Sequence, residues 1–294
     1  MKQYKTPLRY PGGKSRACIK LDTFFPNLSK YSEFREPFIG GGSVAIHVTK
    51  SNPDIPVWIN DLYVPLYNFW LQLRDNGEAL SERVREEKQN TLDEGDPDKI
   101  TASAKELFNK YKEEIDTYDD LEKAVAFFIM NKCSFSGLTE NSTFSQTASN
   151  SNFSLVGADK LKEFSKLIQH WKITNLDYSE VMSADGSDNT FIFLDPPYDI
   201  KDFLYGKNRE MHKSFDHDLF AENVYKCNHT FMITYNQNHK LMLLYQDYEL
   251  NFWNLRYSMA HRGEKGTDDN VKQELLITNY SINPVTPIEE LLTT

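Results

Sequence analysis

The sequence has few cysteines and no long apolar run, and both absences narrow the classes of protein to which it can belong. Its three cysteines, Cys18, Cys133 and Cys227, are too far apart for a paired metal motif, so we interpret them as small hydrophobic residues or surface thiols. No apolar run approaches the roughly 20 residues of a membrane-spanning helix, and the first residues lack the apolar core of a signal peptide. We therefore expect a cytoplasmic protein with no membrane partner and no metal.

The sequence also lacks an excess of basic residues. Its 33 lysines and arginines are outnumbered by 43 acidic residues, and the formal net charge is -10. Binding of nucleic acid normally requires a basic face, so this balance argues against such a partner unless the charges are segregated. Much of the acidic charge lies in 78–98 and 113–122, whereas basic residues recur near both ends and after residue 200. We therefore expect a basic cleft on an acidic body.

The most informative chemical pattern is Asp195-Pro196-Pro197-Tyr198, which directly follows the apolar run 190–194. The run is rich in aromatic and β-branched residues, which predicts an interior strand of a parallel sheet. Ligands of such sheets bind beyond the carboxyl ends of the strands. The two prolines have no amide donor, so their carbonyls can face a cleft, while Asp195 adds an acceptor and Tyr198 a stacking face. The group suits a flat heterocycle with an exocyclic amino group; a simple proline turn is the alternative.

A second pattern, in residues 33–46, predicts a short strand, a glycine-rich turn and the start of an apolar helix. The spacing Gly40-x-Gly42-x-x-Ala45 fits a dinucleotide-binding turn, and Asp61 follows the strand-like segment 57–60 at the expected distance. An acidic residue there can bind the ribose of any adenosine cofactor, so the pattern alone also fits a nicotinamide-dependent enzyme. However, Glu36 precedes the turn, and a dehydrogenase has no evident need for an Asp-Pro-Pro-Tyr loop.

Three segments in this order make the chain resemble the Dam-type DNA adenine methyltransferases, the α group of the amino-methyltransferases. They are Leu-Arg-Tyr-Pro-Gly-Gly-Lys at 8–14, the glycine-rich turn at 36–44 and Asp-Pro-Pro-Tyr at 195–198. The resemblance extends from about residue 6 to about residue 280. It implies a site-specific enzyme that transfers a methyl group from S-adenosylmethionine to the exocyclic amino group of an adenine flipped out of double-stranded DNA. It leaves open whether a cognate restriction endonuclease is a partner.

The resemblance also implies roles for individual residues. The implied catalytic residues, which would hold the target adenine, are Asp195, Pro196, Pro197 and Tyr198. Lys14 would lie near the methionine carboxylate of the cofactor, Asp61 would bind its ribose, and Asp177 would bind its adenine amino group. The implied cofactor-binding residues are Tyr10, Lys14, Glu36, Pro37, Phe38, Gly40, Gly42, Ser43, Asp61, Asp177 and Phe215.

Residues 76–170 form an insert that is too long for a crossover between two strands. The sequence predicts helical stretches at 102–114 and 121–132, followed by a polar stretch from 134 to 154. The family has its target-recognition domain here, and 131–141 resembles its recognition hairpin; a mobile surface loop is the alternative. The candidate DNA-binding residues are Arg9, Lys132, Ser134, Ser136, Leu138, Thr139, Asn141, Arg256, Arg262 and Lys265.

One departure from the family concerns the sequence that is read. Family members that recognise Gly-Ala-Thr-Cys sites usually have an arginine shortly after the Gly-Leu pair, whereas this chain has Thr139-Glu140-Asn141. That target sequence is therefore not implied.

Together these observations predict an α/β protein with a Rossmann-like methyltransferase fold. We expect a mixed seven-stranded sheet flanked by helices, ending in an antiparallel pair near 248–257 and 272–282. Residues 1–75 and 171–283 would form the catalytic domain, 76–170 an inserted helical target-recognition domain, and 284–294 a flexible tail. Two alternative functions stay open: an RNA adenine methyltransferase, because the same loop serves flipped bases in both polymers, and a nucleic-acid-binding regulator without catalysis.

Overall fold

Seven strands of the described residues form one mixed sheet, as the sequence predicts. The computed structural model describes residues 5–10, 12–137, 142–186, 189–198, 215–256 and 271–282. The strands are β1 (Glu33–Glu36), β2 (Val57–Asn60), β3 (Lys172–Thr174), β4 (Thr190–Leu194), β5 (Thr230–Asn236), β6 (Glu249–Arg256) and β7 (Val271–Thr278). Their order in the sheet is β3-β2-β1-β4-β5-β7-β6. Strands β1 to β5 run parallel, and β7 is antiparallel to both of its neighbours.

Helices connect the strands and make up the insert. Those of the described residues are α1 (Cys18–Asp22), α2 (Ser43–Ser51), α3 (Val64–Asp75), α4 (Gly77–Leu92), α5 (Pro97–Glu114), α6 (Asp120–Cys133), α7 (Gln146–Asn152), α8 (Leu155–Leu167), α9 (Tyr178–Ser183), α10 (His217–Lys226) and α11 (His239–Leu244). The helical stretches predicted in the insert lie within α5 and α6. The part of the chain that the structure describes contains no helix with the length and apolar character of a membrane span.

The sheet is covered on both faces, and β4 is accordingly apolar from Phe191 to Leu194. Every residue of β4 is buried, which confirms the interior strand predicted before Asp195. Phe191 and Phe193 belong to a hydrophobic cluster on one face, whereas Ile192 and Leu194 belong to a second cluster on the other. This alternation follows from the two-residue period of a strand. The β4 strand therefore has a fixed register, which in turn fixes the loop that begins at Asp195.

The strand order places the candidate residues at one edge of the sheet. The chain runs outward from β1 to β3 on one side and from β4 to β5 on the other, so the order reverses between β1 and β4. Ligands of open α/β sheets bind in the crevice at such a reversal, beyond the carboxyl ends of the strands. Glu36 ends β1, Asp61 follows β2, and Asp195 follows β4. The topology thus brings together three acidic residues that are far apart in the sequence.

The insert shares its core with the helix that precedes it. Phe69 of α3 stacks on Phe128 of α6, with ring centroids 6.0 Å apart and an interplanar angle of 11°, and it also contacts Phe127. Within the insert, helices α4 and α8 pack on each other, and Ser81 of α4 donates a hydrogen bond to the carbonyl of Ala158 at 2.9 Å. The apolar core therefore continues across the predicted domain boundary at residue 75. The division into two domains stays a prediction.

The described part of the polar stretch 134–154 is ordered by its neighbours. Ser134 forms a single antiparallel bridge with Phe144, whose ring contacts Phe108 of α5 edge to face, with centroids 5.9 Å apart. Ser145 caps α7 by accepting a hydrogen bond from a backbone amide, and Phe153 is buried. A few aromatic anchors therefore attach this stretch to the helices of the insert. The predicted tail at 284–294 lies outside the described residues.

We expect the glycine before α2 to be required for folding. Gly42 has a φ of +69°, and a Cβ there would lie 2.5 Å from the Trp70 ring, whereas Gly95, with a φ of +73°, has no neighbour within 4 Å. Gly42→Ala combines backbone strain with steric overlap and should lower the free energy of unfolding by about 3 kcal/mol or more. The matched control Gly95→Ala bears strain alone and should lose about 1 kcal/mol. Urea denaturation measures both; equal losses would contradict the packing argument.

Candidate active site

Asp195 is held through one of its carboxylate oxygens. Its Oδ1 accepts hydrogen bonds from Lys14 Nζ at 3.0 Å and from Thr234 Oγ1 at 2.6 Å. Thr234 is buried on β5, which pairs with β4 directly before the loop. Both contacts are made to Oδ1, so the orientation of the carboxylate is fixed by an ammonium on one side and a hydroxyl on the other.

Lys14 connects two of the predicted catalytic residues. It lies in a 3-10 turn at Lys14–Arg16, and only 3% of its side chain is exposed. Its ammonium donates to the Tyr198 hydroxyl at 2.7 Å in addition to Asp195, and it lies 4.8 Å from the centroid of the Tyr198 ring. The family resemblance implied a place near the carboxylate of a cofactor, whereas the contacts to Asp195 and Tyr198 were not predicted.

Two site residues were missed by sequence reasoning, namely Thr234 and Glu274. Glu274 lies on β7 opposite Asn236 of β5 and is 1% exposed. Burial raises the pKa of Glu274 to about 7; the interactions with Lys14 and Tyr198 oppose this rise, and the charge of Asp195 adds to it. The available signal was a carboxylate directly before the apolar run 275–277.

Two further carboxylates line the first turn of the site. Glu36 is buried at the end of β1 and accepts a hydrogen bond from the Ala45 amide of α2 at 2.8 Å. Burial raises the pKa of Glu36 well above its ordinary value, and the charge of Asp195 adds to this rise. Asp61 accepts from the amides of Tyr63 at 3.0 Å and Gly40 at 3.2 Å, and burial raises its pKa to about 6. Asp61 thus anchors the glycine turn.

The site carries an excess of acidic groups over the ammonium of Lys14. Glu36 interacts electrostatically with Asp195, Asp61 and Lys14, and Glu274 interacts with Lys14 and Asp195. Carboxylates this close to each other disfavour one another's ionisation, which is the second reason, after burial, for the raised pKa values of Glu36 and Glu274. A ligand with positive charge would relieve that repulsion. The arrangement therefore favours a cationic ligand.

Other predicted cofactor residues surround the glycine turn. The ring of Tyr10 packs so closely on the turn that a Cβ at Gly40 would lie 3.1 Å from it. Ser43 Oγ lies 2.8 Å from Ser15 Oγ. Phe38, which follows Pro37, contacts Phe215 edge to face with centroids 5.8 Å apart. The structure thus brings the turn together with Phe215, a predicted residue more than 170 positions away.

Asp177 has a structural task at the start of α9. Its carboxylate accepts a hydrogen bond from the Ser179 amide at 2.9 Å, and the Ser179 hydroxyl also donates to it. Glu180 accepts from the Asp177 amide in return, which completes a capping box. The structure thus shows Asp177 as a helix cap. The cofactor contact that the resemblance implies would be a second role of the same carboxylate.

Three of the candidate DNA-binding residues meet at the end of α6. The Arg9 amide donates to Asn131 Oδ1 at 2.9 Å, and its guanidinium donates to the Ser134 carbonyl at 3.0 Å. Lys132 is buried over the Phe128 ring, and burial together with the charge of Arg9 lowers its pKa to about 8. Ser136 lies in the 3-10 turn Phe135–Gly137, and Arg256 ends β6. The candidates outside the described residues are Leu138, Thr139, Asn141, Arg262 and Lys265.

Comparison with known proteins gives a family and several relatives. Residues 10–259 match the family described as D12 class N6 adenine-specific DNA methyltransferase. The type II methyltransferase M.MjaIII of Methanocaldococcus jannaschii is 24% identical over 208 residues, 67% of this chain and 70% of that protein. The type II methyltransferase M1.LlaDCHI of Lactococcus lactis subsp. cremoris is 26% identical over 196 residues, 65% of this chain and 64% of that protein. The DNA N-6-adenine-methyltransferase of Escherichia phage P1 is 26% identical over 195 residues, 65% of this chain and 24% of that protein.

We expect the buried carboxyl of Glu274 to make stability depend on pH. Its pKa of about 7 in the folded protein exceeds its ordinary value of 4.5, so the folded state binds a proton that the unfolded chain has released. The stability that this proton contributes is present near pH 4.5 and is lost as the pH rises through 7. Glu274→Gln cannot ionise, and from pH 5 to pH 8 its free energy of unfolding should rise by about 3 kcal/mol relative to the wild type.

Urea denaturation across this pH range measures that difference, and the variant Glu249→Gln, at an exposed position of β6, is the matched control. The control should keep a constant difference from the wild type. The same constant difference in Glu274→Gln would show that Glu274 titrates normally in the folded protein.

Proposed function

The chain belongs to the family of D12 class N6 adenine-specific DNA methyltransferases, and we propose on this basis that it transfers a methyl group from S-adenosylmethionine to the exocyclic amino group of an adenine flipped out of duplex DNA. The observation that carries the proposal is the fixed carboxylate of Asp195 at the carboxyl end of β4. It lies at the reversal of strand order, beside Tyr198 and the glycine turn. An amino group and a methyl donor could meet there.

Asp195 is suited to orient an amino nitrogen. Its Oδ1 is engaged by Lys14 and Thr234, so we infer that Oδ2 and the Pro196 carbonyl accept hydrogen bonds from the adenine amino group. These bonds would direct the nitrogen lone pair at the methyl group, and the stacking face of Tyr198 would hold the ring. Correct alignment of the reacting atoms lowers the barrier without a strong base acting before the attack.

Methyl transfer requires a methyl donor, and we propose S-adenosylmethionine. When bound, this cofactor supplies an electrophilic methyl group on a sulfonium. The acidic excess around Lys14 fits its positive charges, and the oxygens of Asp61 each keep a lone pair for a ribose hydroxyl. Tyr10, Glu36 and the turn at 36–44 would form the wall against its methionine part. Phe38 and Phe215 would cover it from the side of α9.

Adenine inside a duplex cannot reach this site, so we propose that the base leaves the helix. Flipping costs a few kcal/mol, which stacking on Tyr198 and contacts to the DNA backbone would offset. We assign the backbone contacts to the insert 76–170 and to Arg9 and Lys132, which meet at the end of α6. A phosphate beside Lys132 would stabilise its charged form and raise its lowered pKa.

The naming of two relatives as type II methyltransferases suggests a role in restriction–modification. In that role, methylation would protect one DNA sequence from a cognate endonuclease, which is a proposed partner. The family match favours DNA over RNA as the substrate. RNA is the alternative substrate in the experiment below.

We expect Asp195→Ala to abolish methyl transfer. Purified protein is incubated with methyl-labelled S-adenosylmethionine and unmethylated DNA, with total RNA in parallel, and the labelled nucleoside is identified. The wild type should label N6 of DNA adenine, and the variant should lose at least about 100-fold in rate because the amino group loses its acceptor. Cofactor affinity should largely survive.

The matched control for this experiment is Asp54→Ala, which removes an exposed carboxylate in the loop between α2 and β2, outside the insert, and should keep full activity. Undiminished turnover in Asp195→Ala would contradict the role of this carboxylate. Label on RNA would transfer the proposal to the RNA enzyme, and label on cytosine would overturn the base assignment.

Asp177 can be tested with variants that separate its two tasks. Serine is a good helix cap but lacks the reach of a carboxylate. We therefore expect Asp177→Ala to lose about 1 kcal/mol of stability, whereas Asp177→Ser should remain nearly as stable as the wild type. Both should raise the KM for S-adenosylmethionine about tenfold, the equivalent of one lost hydrogen bond to a charged group. An unchanged KM in Asp177→Ser would leave Asp177 with the helix cap alone.

A further inference from the structure

One buried side chain joins the start of the chain to the end of α6. Asn131 is completely buried, and its Oδ1 accepts a hydrogen bond from the Arg9 amide at 2.9 Å. Its Nδ2 donates to the Arg9 carbonyl at 2.7 Å. The side chain therefore pairs with both backbone groups of one residue, as a neighbouring strand would, although the two residues are 122 positions apart.

The same amide group also holds the turn that follows α6. Its Nδ2 donates a second hydrogen bond to the Gly137 carbonyl at 2.8 Å, so both donors of the Asn131 side chain are used. Arg9 contacts this turn as well: its guanidinium donates to the Ser134 carbonyl at 3.0 Å, and a Cβ at Gly137 would lie 2.2 Å from its carbonyl oxygen. We call residues 134–137 the recognition turn. Arg9 and Asn131 thus fix its position directly.

The segment that carries Arg9 leads to the buried ammonium of the candidate site. Lys14 follows Arg9 by five positions and donates to Asp195 at 3.0 Å. The chain before Lys14 turns tightly, since the Gly13 amide donates to the Tyr10 carbonyl at 3.0 Å and a Cβ at Gly13 would lie 2.9 Å from that oxygen. Little slack is left in this segment. A shift of the recognition turn would therefore be carried to the ammonium that orients Asp195.

An apolar side chain could fill the place of Asn131 but could not replace its hydrogen bonds. The groups that it binds are the amide and carbonyl of Arg9 and the carbonyl of Gly137. Backbone groups that lose a hydrogen bond inside a protein are costly, so removal of the side-chain amide would let the two segments separate. Both segments thus depend on one side chain.

We propose that Asn131 is a positioning residue that couples the recognition turn to methyl transfer, because it holds Arg9, and through the short chain that follows also Lys14, in a place set by that turn. The inference rests on the proposed function, since it requires that DNA lies against the recognition turn. Asn131 is buried and would itself touch neither the base nor the methyl donor. DNA that fits the turn would place Lys14 and Asp195 for the reaction, and DNA that fits badly would not.

Single-turnover methylation of two duplexes tests the coupling. The target sequence is first identified from the adenines that the wild type methylates in bacterial DNA, and the second duplex differs from it by one base pair but is still methylated measurably. Asn131→Ala should methylate the target duplex about tenfold more slowly, which is the scale of coupling between sites, and the altered duplex at nearly the wild-type rate. A role in the fold alone would slow both reactions equally, and that result overturns the inference.

A second variant and a matched control accompany this experiment. Gly137→Ala reaches the same junction from the other side, because its Cβ would displace the Arg9 carbonyl, and it should lose the same preference even if Asn131→Ala folds poorly. The control is Thr49→Val, which removes a buried hydrogen bond from the Trp171 indole to the Thr49 hydroxyl at 2.9 Å, outside the insert and the candidate site. It should keep the preference of the wild type. An equal loss in the control would attribute the effect to stability and overturn the inference.

Hydrogen exchange measured by NMR gives a readout that does not depend on activity. The Gly13 amide, which is bonded to the Tyr10 carbonyl, reports on the chain that leads to Lys14. Its exchange should be about tenfold faster in Asn131→Ala and unchanged in Thr49→Val. Unchanged exchange in Asn131→Ala overturns the inference even when the wild type methylates DNA. A wild type that leaves DNA adenine unmodified refutes the proposed function, and the role of Asn131 in catalysis fails with it.

Discussion

The candidate active site depends on the buried ammonium of Lys14. Charges interact strongly in an environment with little water, so one cation can hold several carboxylates together. Lys14 binds Asp195 and the Tyr198 hydroxyl directly and interacts electrostatically with Glu36 and Glu274. Through it, a turn near the start of the chain, the loop after β4 and the last strand form one unit. The acidic excess that remains would favour the cationic methyl donor that we propose.

The sequence predicted the parts of this molecule whose signals are local. The run 190–194 is a buried strand because both of its faces are apolar, and the helical stretches predicted at 102–114 and 121–132 lie within α5 and α6. Asp195 was recognisable because a rigid proline pair follows it directly. Thr234 and Glu274 have no such local mark: their place arises from the register of β4 with β5 and of β5 with β7, which brings into the candidate site residues 39 and 79 positions along the chain from Asp195.

Residue type alone also fails where one side chain is suited to two tasks. Asp177 stands at the acidic position expected of a cofactor-binding residue, yet its carboxylate caps α9, and nothing in the local sequence separates these two uses. Lys14 is a similar case, since the resemblance implied a cofactor contact and the structure adds contacts to Asp195 and Tyr198. A family pattern identifies which residue is needed, whereas the fold decides how many contacts the residue makes.

The stacking of Phe69 on Phe128 also limits how the recognition segment can be exchanged between proteins. Helix α3 begins just after Asp61, in the segment predicted to belong to the catalytic domain. Its aromatic face is nevertheless buried against α6, which lies in the insert. A chimaera that replaced 76–170 alone would leave half of this aromatic contact behind. A functional exchange would have to include residues 64–75, and the new junction would then lie beside Asp61, the residue that we propose binds the cofactor.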